Sequence, residues 1–301
     1  MSIKYTIMKS IKGVLAVFTL MTIACLSAPE ARSWGRLGHA TVAKIAYDHL
    51  TPKARKAILE YVGAPLPAIS SDADTYRPYW TMDLGFVPSN PEYARKFLNK
   101  ELQKTLPLNI SPWSHSITVD DNFKSFPNDN LNGEYINNDA YYVSILSKEL
   151  RENAKNMDPF ERYKAIALIV HFLGDMHCPM HVVYYPKNTL KGANNVIFKG
   201  KQMRLHDFWD GAVFQTYYPT GFGDMAFLAD TATPKEIKEI TEGDVFDWAG
   251  RTAEKCWPLH NRWKEGDTLP DLYPLELRPV LLGQLRDAGY RLAKLLNETF
   301  K

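Results

Sequence analysis

The reading of the chain turns on the stretch His171-Phe172-Leu173-Gly174-Asp175-Met176-His177-Cys178-Pro179-Met180-His181. A strong apolar helical pattern over residues 158–177 runs into it. His171 and Asp175 are four apart, which places an imidazole and a carboxylate on one helical face about a turn apart. Pro179 ends the helix, and His181 follows on the exit. Such a pair with a second imidazole just beyond it is a partial zinc-site pattern. A helix with an ordinary polar stripe looks the same, so the rest of the chain must decide.

Outward from this stretch helical periodicity dominates. Residues 36–50 place apolar or small side chains at Ala40, Ala43, Ala46, Tyr47 and Leu50. Thr51-Pro52 is a cap followed by proline at the first helical position, opening a second helix to about Val62. Further helices are predicted over residues 91–105, 138–153, 204–217 and 274–300, and Thr233-Pro234 opens another. Residues 63–71 and 106–135 read as loop, with their proline, serine, asparagine and aspartate. Residues 182–200 read as irregular or weakly extended. Strand signals are sparse, and no repeat or linker divides the chain. The expectation is an all-α, single-domain helical bundle.

The amino-terminal segment has a different character. Lys4, Lys9 and Lys12 precede an apolar run over residues 13–26, and Ala31-Arg32-Ser33 sets small residues three and one positions before Trp34. That is the layout of a signal peptide, residues 1–33, cleaved before Trp34. It predicts a periplasmic or secreted protein over residues 34–301 with no membrane anchor after cleavage. The leader carries four bases and one acid. Its removal takes the 36 Lys+Arg and 34 Asp+Glu to 32 against 33. A near-neutral chain is no general polyanion binder, so positive charge for nucleic acid has to come from elsewhere, and bound metal is one such source. Cys178 and Cys256 remain after cleavage. One bridge between them is open to an exported chain, but two cysteines are no disulfide scaffold. Asn109 and Asn297 begin glycosylation sequons, which matter only in a eukaryotic secretory route.

Four further fragments carry ligand-type residues. Trp34-Gly35-Arg36-Leu37-Gly38-His39 would begin the mature chain with a free α-amine, whose pKa near 8 lets a metal displace its proton. Asp72-Ala73-Asp74-Thr75-Tyr76-Arg77 is an acidic turn closed by arginine. Pro112-Trp113-Ser114-His115 places an imidazole among aromatics. His206-Asp207-Phe208-Trp209-Asp210 repeats the four-residue His/Asp spacing on another helix. Each alone reads as a cap, a surface loop or a polar pair. Together His39, His115, His171, His181 and His206 with Asp74, Asp175 and Asp210, plus two main-chain atoms of Trp34, exceed what one ion uses. They suit three zinc ions with open positions for water, an arrangement matched to phosphate-ester hydrolysis.

The set resembles the S1/P1 nuclease family of zinc-dependent, single-strand-preferring nucleases. Trp34 and His39 match its Trp-Gly-x-x-Gly-His, Asp74 and Arg77 its Asp-x-x-Arg, and His115 its loop histidine. His171, Asp175 and His181 match its His-x-x-x-Asp…Pro-x-His, and His206 and Asp210 its later His-x-x-x-Asp. Gly192-Ala193-Asn194 resembles its Gly-Gly-Asn, which implies substrate binding at Gly192 and Asn194. The resemblance implies the all-α bundle of the phospholipase C/P1 nuclease type and a monomer. One zinc would sit on Asp74, His115, His171 and Asp175; a second on the Trp34 amine and carbonyl, His39 and the shared Asp175; a third on His181, His206 and Asp210. Asp74 would orient the attacking hydroxide, and Arg77 would steady the phosphate. Single-stranded DNA and RNA would yield 5′-phosphate products, and 3′-nucleotides would also lose phosphate.

Some positions depart from the family. Ser116 stands where fungal members stack a base on an aromatic, and Thr118 where an acid reads its edge; Trp113 or Tyr184 is left to substitute. His49, His177 and His260 match no ligand and are expected to be structural. A zinc phospholipase C, with the same fold, is disfavoured because its last helical pair is His-x-x-x-Glu. A secreted zinc-binding protein without catalysis is the other alternative.

Overall fold

Small side chains let the first helix sink into the molecule. α1 (Gly35–Asp48) buries Val42, Ala43, Ile45 and Ala46, and the long last helix, α10 (Arg278–Thr299), lies along it. A computed structural model describes residues 34–62, 116–126, 130–131, 134–135, 138–157, 159–185 and 194–301. The signal peptide, the acidic turn at Asp74, the helix over 91–105 and the sequon at Asn109 lie outside them. α2 (Pro52–Val62) starts on its proline, with the Thr51 hydroxyl accepting from the Ala54 amide at 3.2 Å.

α3 (Asp139–Asn153) is capped by Asn138, whose side chain accepts from the Tyr141 amide. It packs on α4 (Pro159–Asp175), the centre of the bundle. α4 also touches α1, α2 and α10, and buries Ile166, Ile169, Phe172 and Leu173. A helix apolar on most sides is one surrounded by others, and this one carries His171 and Asp175 into the interior.

Short strands supply what periodicity missed. Within the stretch read as loop, β1 (Ile117–Val119) pairs in parallel with β4 (Val182–Tyr184), Ile117 opposite Val182. β2 (Asn130–Leu131) and β3 (Glu134–Tyr135) form a two-residue ladder. β5 (Asn195–Phe198) and β6 (Lys201–Arg204) make a hairpin whose Lys199-Gly200 turn has both φ values positive, the conformation that matches strand twist. The predicted helix over 204–217 is therefore shorter. It is α5 (Leu205–Asp210), ended by Gly211 and followed by a 3₁₀ turn, Ala212–Phe214.

Two helices carried no separate expectation: α6 (Phe222–Ala229), which packs on α1, and α8 (Val245–His260). α8 opens on a reciprocal Asp244/Asp247 cap and holds Pro258 in its last turn. α7 (Pro234–Ile240) has the Thr233/Glu236 capping box. The last predicted helix is split at Leu277 into α9 (Tyr273–Glu276) and α10. Cys178 and Cys256 are buried and free, so the bridge left open by the sequence is not formed. The all-α class holds, because the strands run only two to four residues and the core is built by helices. Among the described residues no helix is long and apolar enough to cross a membrane.

Candidate metal centre

Gly35 fixes the entrance to the site. Its φ is +50°, and a Cβ there would lie 2.4 Å from the Asp210 carbonyl oxygen. Only glycine allows both the left-handed conformation and that approach. The start of α1 is thereby seated on the end of α5. Trp34 is buried, its carbonyl accepts from the Gly38 amide at 3.1 Å, and its ring meets Phe214 edge-on.

One turn into α1, His39 points at α4. Its Nε2 lies 3.0 Å from Asp175 Oδ1, while His171 Nε2 lies 3.0 Å from Oδ2. The two imidazoles stack, 4.8 Å between centroids. Gly174 makes room for this. A Cβ there would stand 2.6 Å from His39 Nδ1.

A similar arrangement forms at the other end. α4 stops at Asp175, and the turn Cys178–Pro179–Met180–His181 closes with the His181 amide donating to the Cys178 carbonyl at 3.0 Å. The His181 carbonyl accepts from Ile117 at 2.9 Å, which locks the turn to β1. His181 Nε2 lies 3.4 Å from Asp210 Oδ1, and His206 Nδ1 2.8 Å from Asp210 Oδ2. These imidazoles also stack, at 4.7 Å. His181 Nδ1 reaches to 3.8 Å from Asp175 Oδ2, so the two clusters adjoin.

The electrostatics are those of carboxylates held among imidazoles. Burial acts to raise the Asp175 carboxyl, but His171, His181 and His39 outweigh it and hold it well below the usual range. Burial and the His206 and His181 rings act on Asp210 in the same opposed way, with the rings again prevailing. Burial would lower His206, yet Asp210 and Asp207 raise it to about 9.

Three sets of side chains have donor atoms within 4.8 Å of one another: His39/His171/Asp175, Cys178/His181/Asp210 and His206/Asp207/Asp210. Asp210 Oδ2 and His206 Nδ1 are buried and, at 2.8 Å, make no hydrogen bond in this geometry. Two lone-pair atoms so placed fit two ligands of one cation. Imidazole nitrogen and carboxylate oxygen suit zinc.

Of the sequence-derived site residues, His39, His171, Asp175, His181, His206 and Asp210 are brought together, and Trp34 precedes the Gly35 that is seated on Asp210. Asp74, Arg77, His115 and Gly192 lie outside the described residues. Asn194 is half-buried; its side chain donates to the Trp263 carbonyl at 3.2 Å and its own carbonyl accepts from Leu205, joining β5 to α5. His49 faces Asp230, His177 faces Leu173 and Arg291, and His260 faces Pro179. Tyr184 is no stacking platform. It is buried between Phe123 and Trp257, with its hydroxyl donating to the Ala253 carbonyl.

Three acidic or thiol groups near the cluster carried no site expectation. Asp207 is paired with Arg204. Cys178 donates to Asp210 Oδ1 at 3.7 Å. Asp139 starts α3, with its amide on the Ser116 carbonyl. Its carboxyl oxygens are buried without a hydrogen bond, and burial and the charge of Asp175 push it well above the usual carboxylate range. A helix-start aspartate is read from sequence as a cap, and only the packing shows it facing inward.

Comparison with known proteins agrees with the geometry. The sequence profile of S1/P1 nucleases matches residues 34–301. Endonuclease 2 of Arabidopsis thaliana is 23% identical, over 96% of this chain and 98% of its own. Nuclease P1 of Penicillium citrinum is 25% identical, over 88% and 97%. Endonuclease 5 of Arabidopsis thaliana is 25% identical, over 90% and 91%. With the match running from the buried Trp34 through both His/Asp clusters to the last residue, the chain belongs to the S1/P1 nuclease family and is a nuclease of the hydrolase class.

Proposed function

We propose that this nuclease is a secreted or periplasmic, three-zinc phosphodiesterase that cleaves single-stranded DNA and RNA to 5′-phosphate products and removes phosphate from 3′-nucleotides. The observation that carries the reading is the junction at His181, where two buried stacked-imidazole clusters on Asp175 and Asp210 meet. Bound zinc would lower the pKa of water and neutralise the phosphate.

In this reading each residue has a part. Asp175 turns one oxygen to His39 and the other to His171, which supports its sharing between two cations. The Trp34 amine and carbonyl, His39 and Asp175 would hold one ion of that pair, and His171, Asp175, Asp74 and His115 the other. His181, His206 and Asp210 would hold the third. His39, Asp175 and His181 are fully buried and exclude water from the floor. The side chains of His171 and His206 keep 8% and 15% exposure, so the phosphate would approach from their side. Arg77 would steady its charge, Asp74 would orient the attacking water, and Gly192 and Asn194 would contact the nucleotide.

Incubation with single-stranded DNA, RNA, a 3′-nucleotide and a phosphatidylcholine analogue, with and without chelator, tests this. Chelator-sensitive turnover of the first three is expected. Turnover of the phosphatidylcholine analogue alone would replace the reading with a phospholipase, and turnover of nothing would leave zinc binding without catalysis. Asp175→Asn is expected to lose both paired ions by metal analysis and more than about a hundredfold of activity; three retained zincs would reject the shared role.

A further inference from the structure

We propose that the third metal position takes a sulfur ligand, Cys178, beside His181, His206 and Asp210. This rests on the nuclease reading above. Cys178 and His181 are the first and last residues of one tight turn, with Pro179 second, where its fixed φ suits the turn. A Cys-x-x-His turn sets thiol and imidazole side by side, the two-residue spacing at which structural zinc sites take their ligands. The sulfur is 3.7 Å from Asp210 Oδ1, and His181 Nε2 is 3.4 Å from the same oxygen. Those separations are what metal bonds of about 2.3 Å to sulfur and about 2.0 Å to nitrogen or oxygen produce around a tetrahedral ion.

A second observation points the same way. Cys178, His181 and Asp210 are all buried, and the sulfur, a ring nitrogen and a carboxylate oxygen lie within 4.8 Å of one another. The Met180 amide is directed at the sulfur. The other cysteine is committed elsewhere, since Cys256 accepts from Gln284. Without a cation the thiol donates to Asp210. A divalent ion would take the place of its proton. The S–H bond breaks, a sulfur–metal bond forms, and the proton leaves to solvent.

The test is cobalt(II) substitution of the full protein, followed by absorption spectroscopy and metal analysis. A near-ultraviolet sulfur-to-cobalt charge-transfer band is expected. It should vanish in Cys178→Ser and in His181→Ala and persist in Cys256→Ser. Cys178→Ser should also weaken retention of one ion by about tenfold or more under competing chelator. X-ray absorption on the zinc protein should show a sulfur neighbour at about 2.3 Å. If the cobalt protein carries its full metal and cleaves single-stranded DNA but shows no band, Cys178 is only a hydrogen-bond donor to Asp210. The inference then fails while the nuclease reading stands. A protein that takes up no cobalt and no zinc overturns both.

Discussion

Gly174 decides whether His39 can reach Asp175. The helix brings its backbone against the ring so closely that a single added methyl would fall 2.6 Å from Nδ1. Gly174→Ala is therefore expected to push His39 off the carboxylate, at a cost of about 1–3 kcal/mol, with loss of bound metal. Gly283→Ala, inside α10 with open space around it, should instead stabilise by about 0.5–1 kcal/mol through the unfolded chain. Metal analysis and thermal melts on the two variants check the contrast. At this scale the ligand-type residues were readable because their spacing is that of helix faces: His171 with Asp175, His206 with Asp210. The supporting residues were not. Neither the packing at Gly174 nor the inward turn of Asp139 has a local signature; both depend on which element arrives from elsewhere in the chain.

The joint between α1 and α2 shows how one element pins others. Asn297, near the end of α10, accepts from the Thr51 amide at 2.7 Å and donates to the His49 carbonyl at 3.0 Å. It satisfies a donor at the start of one helix and an acceptor at the end of another. Asn297→Ala is expected to cost about 1–2 kcal/mol, measured by denaturant unfolding, with metal content unchanged because the joint is not among the ligands. A glycan on this sequon would break the same two bonds. Helices with proline, threonine or asparagine starts were legible at this scale, α2, α3, α4 and α7 among them. The strands were not, since three or four residues give too few alternations to show a period. The helix expected over 204–217 failed for a related reason. Gly211 and the 3₁₀ turn after it interrupt it, and both act through backbone conformation that apolar spacing does not report.

Behind the two His/Asp clusters lies a buried polar network. His177 lies between the Leu173 carbonyl and Arg291, whose Nη1 is 2.7 Å from its Nε2. Gln284 donates to the His177 carbonyl, and Asp287 faces Lys255 and Arg286. Burial, then the Arg291 charge, lowers His177 to about 3. The unfolded chain protonates it near 6.5, so between those values the unfolded state binds the extra proton. The stability it contributes is present above about pH 6.5 and is lost as pH falls toward 3, at up to about 1.4 kcal/mol per unit. In chelator-treated protein, His177→Gln should flatten the pH dependence of unfolding over that window. An unchanged slope would place the acid sensitivity elsewhere. The sequence marked His177 as no ligand by leaving it unmatched, but its partner Arg291 sits more than a hundred residues away, beyond any local pattern.

The parallel ladder between β1 and β4 bears on how the nuclease is made. Parallel neighbours cannot be joined by a tight turn, and here the connection contains all of α3 and α4. The loop must close before Ile117 can reach the His181 carbonyl, and such long-range closure is slow compared with helix formation. Refolding should therefore run in two kinetic phases, early helicity followed by late acquisition of zinc capacity. Zinc added at the start should leave the first phase unaltered. On this expectation the ions would arrive at a scaffold already built, as its last passengers.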